Sequence, residues 1–144
     1  MTDMIEGRGT YYVVLRGFEQ RDVFQCEEDY EQFLGVFNRC KNCYMVFCYG
    51  YCLLPTACHC VVAADNQHVV RKAFLQAAEF FSVYRRSRTG RRAAVWDAEL
   101  EMAALDTQAK KRECLMLLLS LPVWSGLSVT PSAYRYVYVD GWVE

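Results

Sequence analysis

Only two imidazoles occur in this chain, His59 and His68, and His59 stands between two thiols in the run Cys58–His59–Cys60. Imidazole and thiolate are the side chains best suited to metal ligation, acid–base work and nucleophilic attack, so chemistry is sought here first. A second pair, Cys40–Lys–Asn–Cys43, has metal-ligand spacing, and no further pair with that spacing follows it. A Cys40/Cys43/His59 zinc site is one reading. The other is that the eight cysteines are mostly small buried hydrophobes. On a strand, alternation sends Cys58 and Cys60 to the face opposite His59. A histidine hydrogen-bonded within a sheet fits the same residues.

The second group is cationic. "RRSRTGRR" places Arg85, Arg86, Arg88, Arg91 and Arg92 within eight residues. Such a cluster reads either as an anion or nucleic-acid patch or as a solvated turn between two elements.

The elements that must hold these groups follow from periodicity. "TYYVVLRG" (10–17) is aromatic and β-branched and ends at Gly17, which predicts a strand. "CEEDYEQFLGVFNRCKNC" (26–43) predicts a helix, with acids in its first turn and Tyr30, Phe33, Leu34 and Phe37 on one face. Residues 44–55 and 57–64 predict two strands joined around Pro55 as a hairpin. Residues 66–86 predict a second helix with Val70, Phe74, Ala77 and Phe81 inward, followed by the arginine-rich turn at Gly90. Residues 93–105 read as a strand, although their Ala, Glu and Leu content is also helical. Residues 106–122 predict a third helix, with Asp106 as its cap and Pro122 as its stop. The tail "YRYVYVDGWVE" is left as an edge strand. The order β-α-β-β-α-β-α implies an α+β, ferredoxin-like antiparallel sheet with packed helices.

Composition sets the outer bounds. With 53% hydrophobic and 23% charged residues the 144-residue chain is that of a folded domain, read as a tail over 1–9 and one domain over 10–144. No apolar run approaches the roughly 18–20 residues of a membrane span. The opening residues lack an apolar signal core, so the expected compartment is the cytoplasm, with reduced thiols rather than disulfides. Net charge is −1 but uneven: residues 1–34 carry eight acids and three bases, and residues 65–112 carry ten bases and six acids.

Four segments, in order, resemble the single-tyrosine HUH transposases, and among them the REP-associated tyrosine transposases. "YYVVLRGFEQRDVFQCEEDYEQFL" (11–34) resembles that family's first strand, loop and helix. "YGYCLLPTACHCVV" (49–62) is similar to its metal-ligand hairpin, "VYRRSRTGRRAAVWDAEL" (83–100) to its basic turn and next strand, and "ECLMLLLSLPVWSGLSV" (113–129) to its last helix. The resemblance covers residues 10–135. It implies an enzyme that cuts single-stranded DNA with a tyrosine hydroxyl, helped by a divalent metal on the scissile phosphate.

Position by position, that chemistry is missing. The resemblance puts the family's first metal histidine at Ala57, its second at His59, its tyrosine nucleophile at Leu117 and its helical amide ligand at Leu121. Alanine and leucine neither ligate nor attack. Tyr84 and the C-terminal Tyr134, Tyr136 and Tyr138 fall where the family carries non-catalytic aromatics. The expectation is therefore a catalytically inactive homologue with no cofactor, His59 being the lone remnant of a metal site.

Two functions remain open, and an active DNA-nicking transposase with rearranged ligands stands third behind them. One is binding of hairpin or single-stranded DNA through the five arginines, with Tyr84 and Trp96 as stacking groups. Asp3, Glu6, Asp97, Glu99 and Glu101 weigh against it by placing carboxylates where phosphates would lie. The other is a protein-interaction module presenting an apolar patch of Ala57, Leu117, Leu121 and Trp124 to a protein partner. No membrane partner is implied, and monomer and homodimer are both compatible.

Overall fold

The computed structural model describes residues 8–140, so residues 1–7, most of the stretch read as a tail, and residues 141–144 lie outside it. In chain order the elements are β1 (Gly9–Arg16), α1 (Glu27–Cys43), β2 (Phe47–Leu54), β3 (Ala57–Ala64), α2 (Gln67–Thr89), β4 (Glu101–Ala104), α3 (Gln108–Trp124) and β5 (Val137–Val139). One five-stranded sheet runs β4-β1-β3-β2-β5, every neighbouring pair antiparallel. This is the α+β, ferredoxin-like arrangement expected from the sequence.

β3 lies at the centre, and all eight of its residues are buried. The reason is its composition: "ACHCVVAA" carries no charge, and both of its faces are covered. On one face Val13, Leu15, Cys58, Cys60 and Val62 meet Phe33, Phe37, Phe74 and Phe81 of α1 and α2. On the other, Val61 and Ala63 meet Leu118 of α3. Pairing of Tyr12 with Val61, Val14 with His59 and Arg16 with Ala57 fixes which side chains share that second face.

Five sequence expectations are corrected at element ends. α2 does not stop at Arg86 but runs to Thr89, closed by Gly90 at φ 70°, so Arg88 joins Arg85 and Arg86 in the helix rather than lying in the turn. The strand read over 93–105 is reduced to Glu101–Ala104, because residues 91–100 leave the sheet except for one bridge, Gly17 to Trp96. Thr107, not Asp106, caps α3, its hydroxyl accepting from the Lys110 amide at 3.1 Å. Pro122 lies inside α3. Its missing N–H forfeits only one bond near the end of the helix. Two residues later the helix closes through Gly126 N to Val123 O (3.0 Å) and Leu127 N to Pro122 O (2.8 Å). Gly126, at φ 75°, supplies the left-handed residue that this closure needs. β1 also takes in Gly9, one residue into the stretch read as a tail.

Candidate functional site

His59 lies on the α3 face of β3, and Cys58 and Cys60 lie on the other, as alternation requires. The two thiols approach each other at 3.5 Å within the α1–α2 core. Leu117 and Leu121, one helical turn apart on α3, join His59, Tyr12, Arg16 and Glu101 around a cavity of about 420 Å³. Three of the four positions singled out by the resemblance therefore meet in one place. Ala57, the fourth, is buried on the same strand face, across from Arg16.

The polar content of this cavity is small and internally matched. Tyr12 Oη lies 2.6 Å from His59 Nδ1. Burial holds the His59 imidazole down to about 4, with Arg16 adding to the effect and Glu101 opposing it. Burial, aided by the neighbouring thiols Cys114, Cys60 and Cys52, pushes the Tyr12 hydroxyl well above its ordinary range. Both groups are thus neutral near pH 7. The two neutral groups share one hydrogen bond, whose direction follows the His59 tautomer. Arg16 is held by Glu101 through its Nε and, at 3.3 Å, its Nη2.

A metal has little to hold it here. One imidazole is a single donor, Leu117 and Leu121 are none, and a guanidinium stands across from Ala57. Among the described residues no group of three or more His, Cys, Asp or Glu side chains is placed to take an ion. The Cys40/Cys43/His59 zinc reading is not assembled. Cys40 is buried with Val36 and Ala77 between α1 and α2, Cys43 is exposed, and His59 is across the sheet from both helices.

The arginines divide into two classes. Arg88 binds the fully buried Asp29 carboxylate at 2.8 and 2.7 Å and Gln25 Oε1 at 2.9 Å. The Tyr84 hydroxyl donates to the same carboxylate at 2.8 Å, as does the Gln25 amide. Burial pushes Asp29 up, but the Gln25, Tyr84 and Arg88 hydrogen bonds together hold it below the usual carboxylate range. Arg88 and Tyr84 are therefore engaged in the fold. So is Trp96, whose indole N–H donates to Ala78 O at 3.1 Å and whose ring packs against Phe24, Phe33 and Phe81.

The remaining arginines face outward. Arg85, Arg86 and Arg91 line a cavity of about 460 Å³ with Arg21, Gln25 and Thr89, and Asp22 is its one carboxylate. Arg85 donates to Val23 O, and burial pulls its guanidinium slightly down. The Nε atoms of Arg85 and Arg86 are sealed from solvent without a hydrogen-bond partner. Arg86 has no side-chain hydrogen bond or ion pair among the described residues. Arg92 is exposed and borders an adjoining hollow with Arg86 and Arg91. Sequence reasoning missed two contributors, Arg21 and Tyr12. Nothing in a lone arginine of a loop or a tyrosine of a strand marked either one.

The apolar patch expected on α3 is divided between two hollows, and Leu117 borders both, the His59 cavity and a second one that it lines with Met116 and Trp124. Leu117 and Leu121 are half-buried in the His59 cavity, and Ala57 is buried. Trp124 at 70%, Met116 at 55% and Val129 at 90% exposure stand outside it.

No protein-family model matches this chain, and no curated protein matches it either. Nine chains of solved structures do, among them the following two. A REP-associated tyrosine transposase bound to a REP hairpin superposes with a TM-score of 0.75 at 14% identity, over 95% of this chain and 82% of that one. A candidate transposase from Deinococcus radiodurans R1, solved at 1.90 Å, gives 0.57 at 9% identity, over 81% of this chain and 93% of that one. The chain shares the fold of these transposases.

Proposed function

We propose that this protein is a catalytically inactive relative of the tyrosine transposases that binds hairpin or single-stranded DNA. The observation that carries this reading is the arginine-lined cavity, where Arg86 has no anionic partner among the described residues and two guanidinium Nε atoms are sealed away without a hydrogen bond there. A buried donor without an acceptor is costly, and a phosphate oxygen is the natural acceptor for a guanidinium fork. Arg21, Arg85, Arg86, Arg91 and Arg92 form the contact set. Arg88, Tyr84 and Trp96 hold the frame that presents them. The hairpin bound by the transposase neighbour supports the choice of ligand.

Inactivity rests on the other site. The resemblance implies a tyrosine and a held metal for that chemistry, and the positions it assigns to them fall on Leu117 and Leu121, which border the same cavity as His59. Tyr12 is the nearest phenol, but its hydroxyl is spent on His59 Nδ1 and its deprotonation is disfavoured. The test is to incubate a labelled hairpin carrying a single-stranded flank with the protein and Mg²⁺ or Mn²⁺. The hairpin is expected to be retained on a native gel, with no covalent protein–DNA band after denaturation.

A second reading is favoured by the exposed Trp124, Met116 and Val129. On it the scaffold docks a protein partner through the outer face of α3, in place of DNA. Absence of hairpin binding at low salt, together with a stable complex lost in Trp124→Ser, would favour it.

A further inference from the structure

The arginine-lined cavity carries more charge than one phosphodiester can answer. Arg21 reaches it from the loop after β1, Arg85 and Arg86 from the last turns of α2, and Arg91 from the chain that leaves α2. Asp22 is the one carboxylate among its lining residues, so four guanidinium groups leave an excess of three positive charges. Glu19 pairs with Arg21 at 2.9 Å, but both side chains are exposed and such a pair is weak. Arg85 already donates to Val23 O, whereas Arg86 is a half-buried cation without an acceptor among the described residues.

The cavity is also fixed before any ligand arrives. Val23 N and Phe24 N both donate to Pro55 O, at 2.7 and 3.1 Å, which pins the loop that carries Arg21. Phe18 N donates to Val95 O at 2.9 Å and ties that loop to the opposite wall. Just before Arg21, Glu19 and Gln20 take left-handed φ values of 54° and 60°. Side chains with a β-carbon adopt that region rarely, and such strain gathers where a structure clamps a ligand. Like charges held together by fixed walls repel one another, and an anion seated between them removes that cost.

Charge and size together narrow the ligand. A backbone phosphodiester brings a single negative charge, while a diphosphate brings several on two adjoining groups, each able to accept from a guanidinium fork. The volume of about 460 Å³ lies within the range of small-ligand pockets. We infer that this cavity also binds a free diphosphate group, as inorganic pyrophosphate or the tail of a nucleoside diphosphate, and that this ligand displaces DNA. The displacement rests on the DNA-binding reading above; the binding rests on the cavity alone.

Calorimetric titration at constant ionic strength tests the binding, with sodium pyrophosphate, ADP and sodium phosphate as probes. Pyrophosphate and ADP are both expected to bind at least about tenfold more tightly than phosphate, the gain from added charge-assisted hydrogen bonds. ADP tighter than pyrophosphate would assign the site to a nucleotide, and the reverse order to the inorganic ion; both support the diphosphate. Arg86→Ala removes a side chain with no partner in the fold and is expected to lower pyrophosphate affinity about tenfold. Asp22→Asn, which removes the opposing carboxylate, is expected to raise it. Arg112→Ala, on exposed α3, is expected to leave it unchanged. Pyrophosphate no tighter than phosphate, no gain in Asp22→Asn, or an equal loss in Arg112→Ala would overturn the inference. A native gel with the labelled hairpin then reads competition, and pyrophosphate is expected to release the DNA. Hairpin retained at saturating pyrophosphate would overturn the displacement. Hairpin binding without pyrophosphate binding would sink this inference alone, and pyrophosphate binding without hairpin binding would sink the DNA reading alone.

Discussion

Arg88 closes over Asp29 with two hydrogen bonds, 2.8 and 2.7 Å, and the carboxylate beneath it has no exposed surface. This pair ties the end of α2 to the start of α1. It also separates the arginine cluster into a residue that builds the fold and residues that face outward.

Arg88→Ala leaves the buried Asp29 with only the Tyr84 hydroxyl and the Gln25 amide. It is expected to cost about 3 kcal/mol, the range for breaking a buried ion pair by removing one partner. Arg92→Ala, at an exposed side chain, is expected to stay within about 0.5 kcal/mol of wild type. Urea unfolding of the two variants checks the contrast; equal midpoints would refute it.

His59 makes stability depend on pH. In the unfolded chain its imidazole takes a proton below about pH 6.5, and in the fold only below about 4. A depressed histidine stabilises fully above the unfolded value and loses that contribution as pH falls towards the folded one. The loss between pH 6.5 and 4 corresponds to about 3 kcal/mol. Asp29, held below the usual carboxylate range, adds its own loss only under more acid conditions. His59→Gln, which cannot titrate, is expected to flatten the profile between pH 4 and 6.5. Thermal melts across that interval read the difference.

Metal binding should be absent and restorable. Mn²⁺ is expected to leave the His59 NMR signals of the wild type unbroadened, since one imidazole is a weak site. Ala57→His with Leu121→Asn sets a second imidazole on the same strand face and an amide on α3, and is expected to broaden them. Broadening in the wild type would contradict the account of His59 as a lone remnant.

The thiols give a separate check on the zinc reading. Cys26 and Cys43 are exposed, whereas Cys40, Cys52, Cys58 and Cys60 are buried. Burial also pushes the Cys52 thiol up to about 12, which removes the reactive thiolate. A thiol reagent is expected to modify Cys26 and Cys43 first in the native protein and all eight only after unfolding, with no effect of a chelator. Chelator-dependent exposure of Cys40 would revive a metal site.

Much of the fold was legible because its signals are local. The aromatic period of α1 and α2, the apolar run of β3 and the Pro55 turn each specify their element without help from the rest of the chain. The failures have tertiary causes. Trp96 pulls residues 91–100 out of strand geometry to bury its ring among Phe24, Phe33 and Phe81. α2 gains three residues because Arg88 finds Asp29, a partner 59 positions earlier. Asp29 reads in sequence as one of three acids soothing a helix dipole, and nothing local marks it as the buried one. In the candidate site, the strand-face separation of His59 from its flanking thiols followed from period two. The neutral Tyr12–His59 pair depended on a register that only the folded sheet supplies.

The most direct measurement is fluorescence-anisotropy titration of a labelled hairpin with a single-stranded flank, at two salt concentrations, for wild type and Arg86→Ala/Arg91→Ala/Arg92→Ala. All three substitutions avoid the Asp29 pair. The account predicts binding that weakens with salt, with a logarithmic slope of roughly −0.7 per phosphate neutralised on a single strand, and a shallower slope with lower affinity in the variant. No binding at low salt, or binding unchanged by the three substitutions, would contradict it.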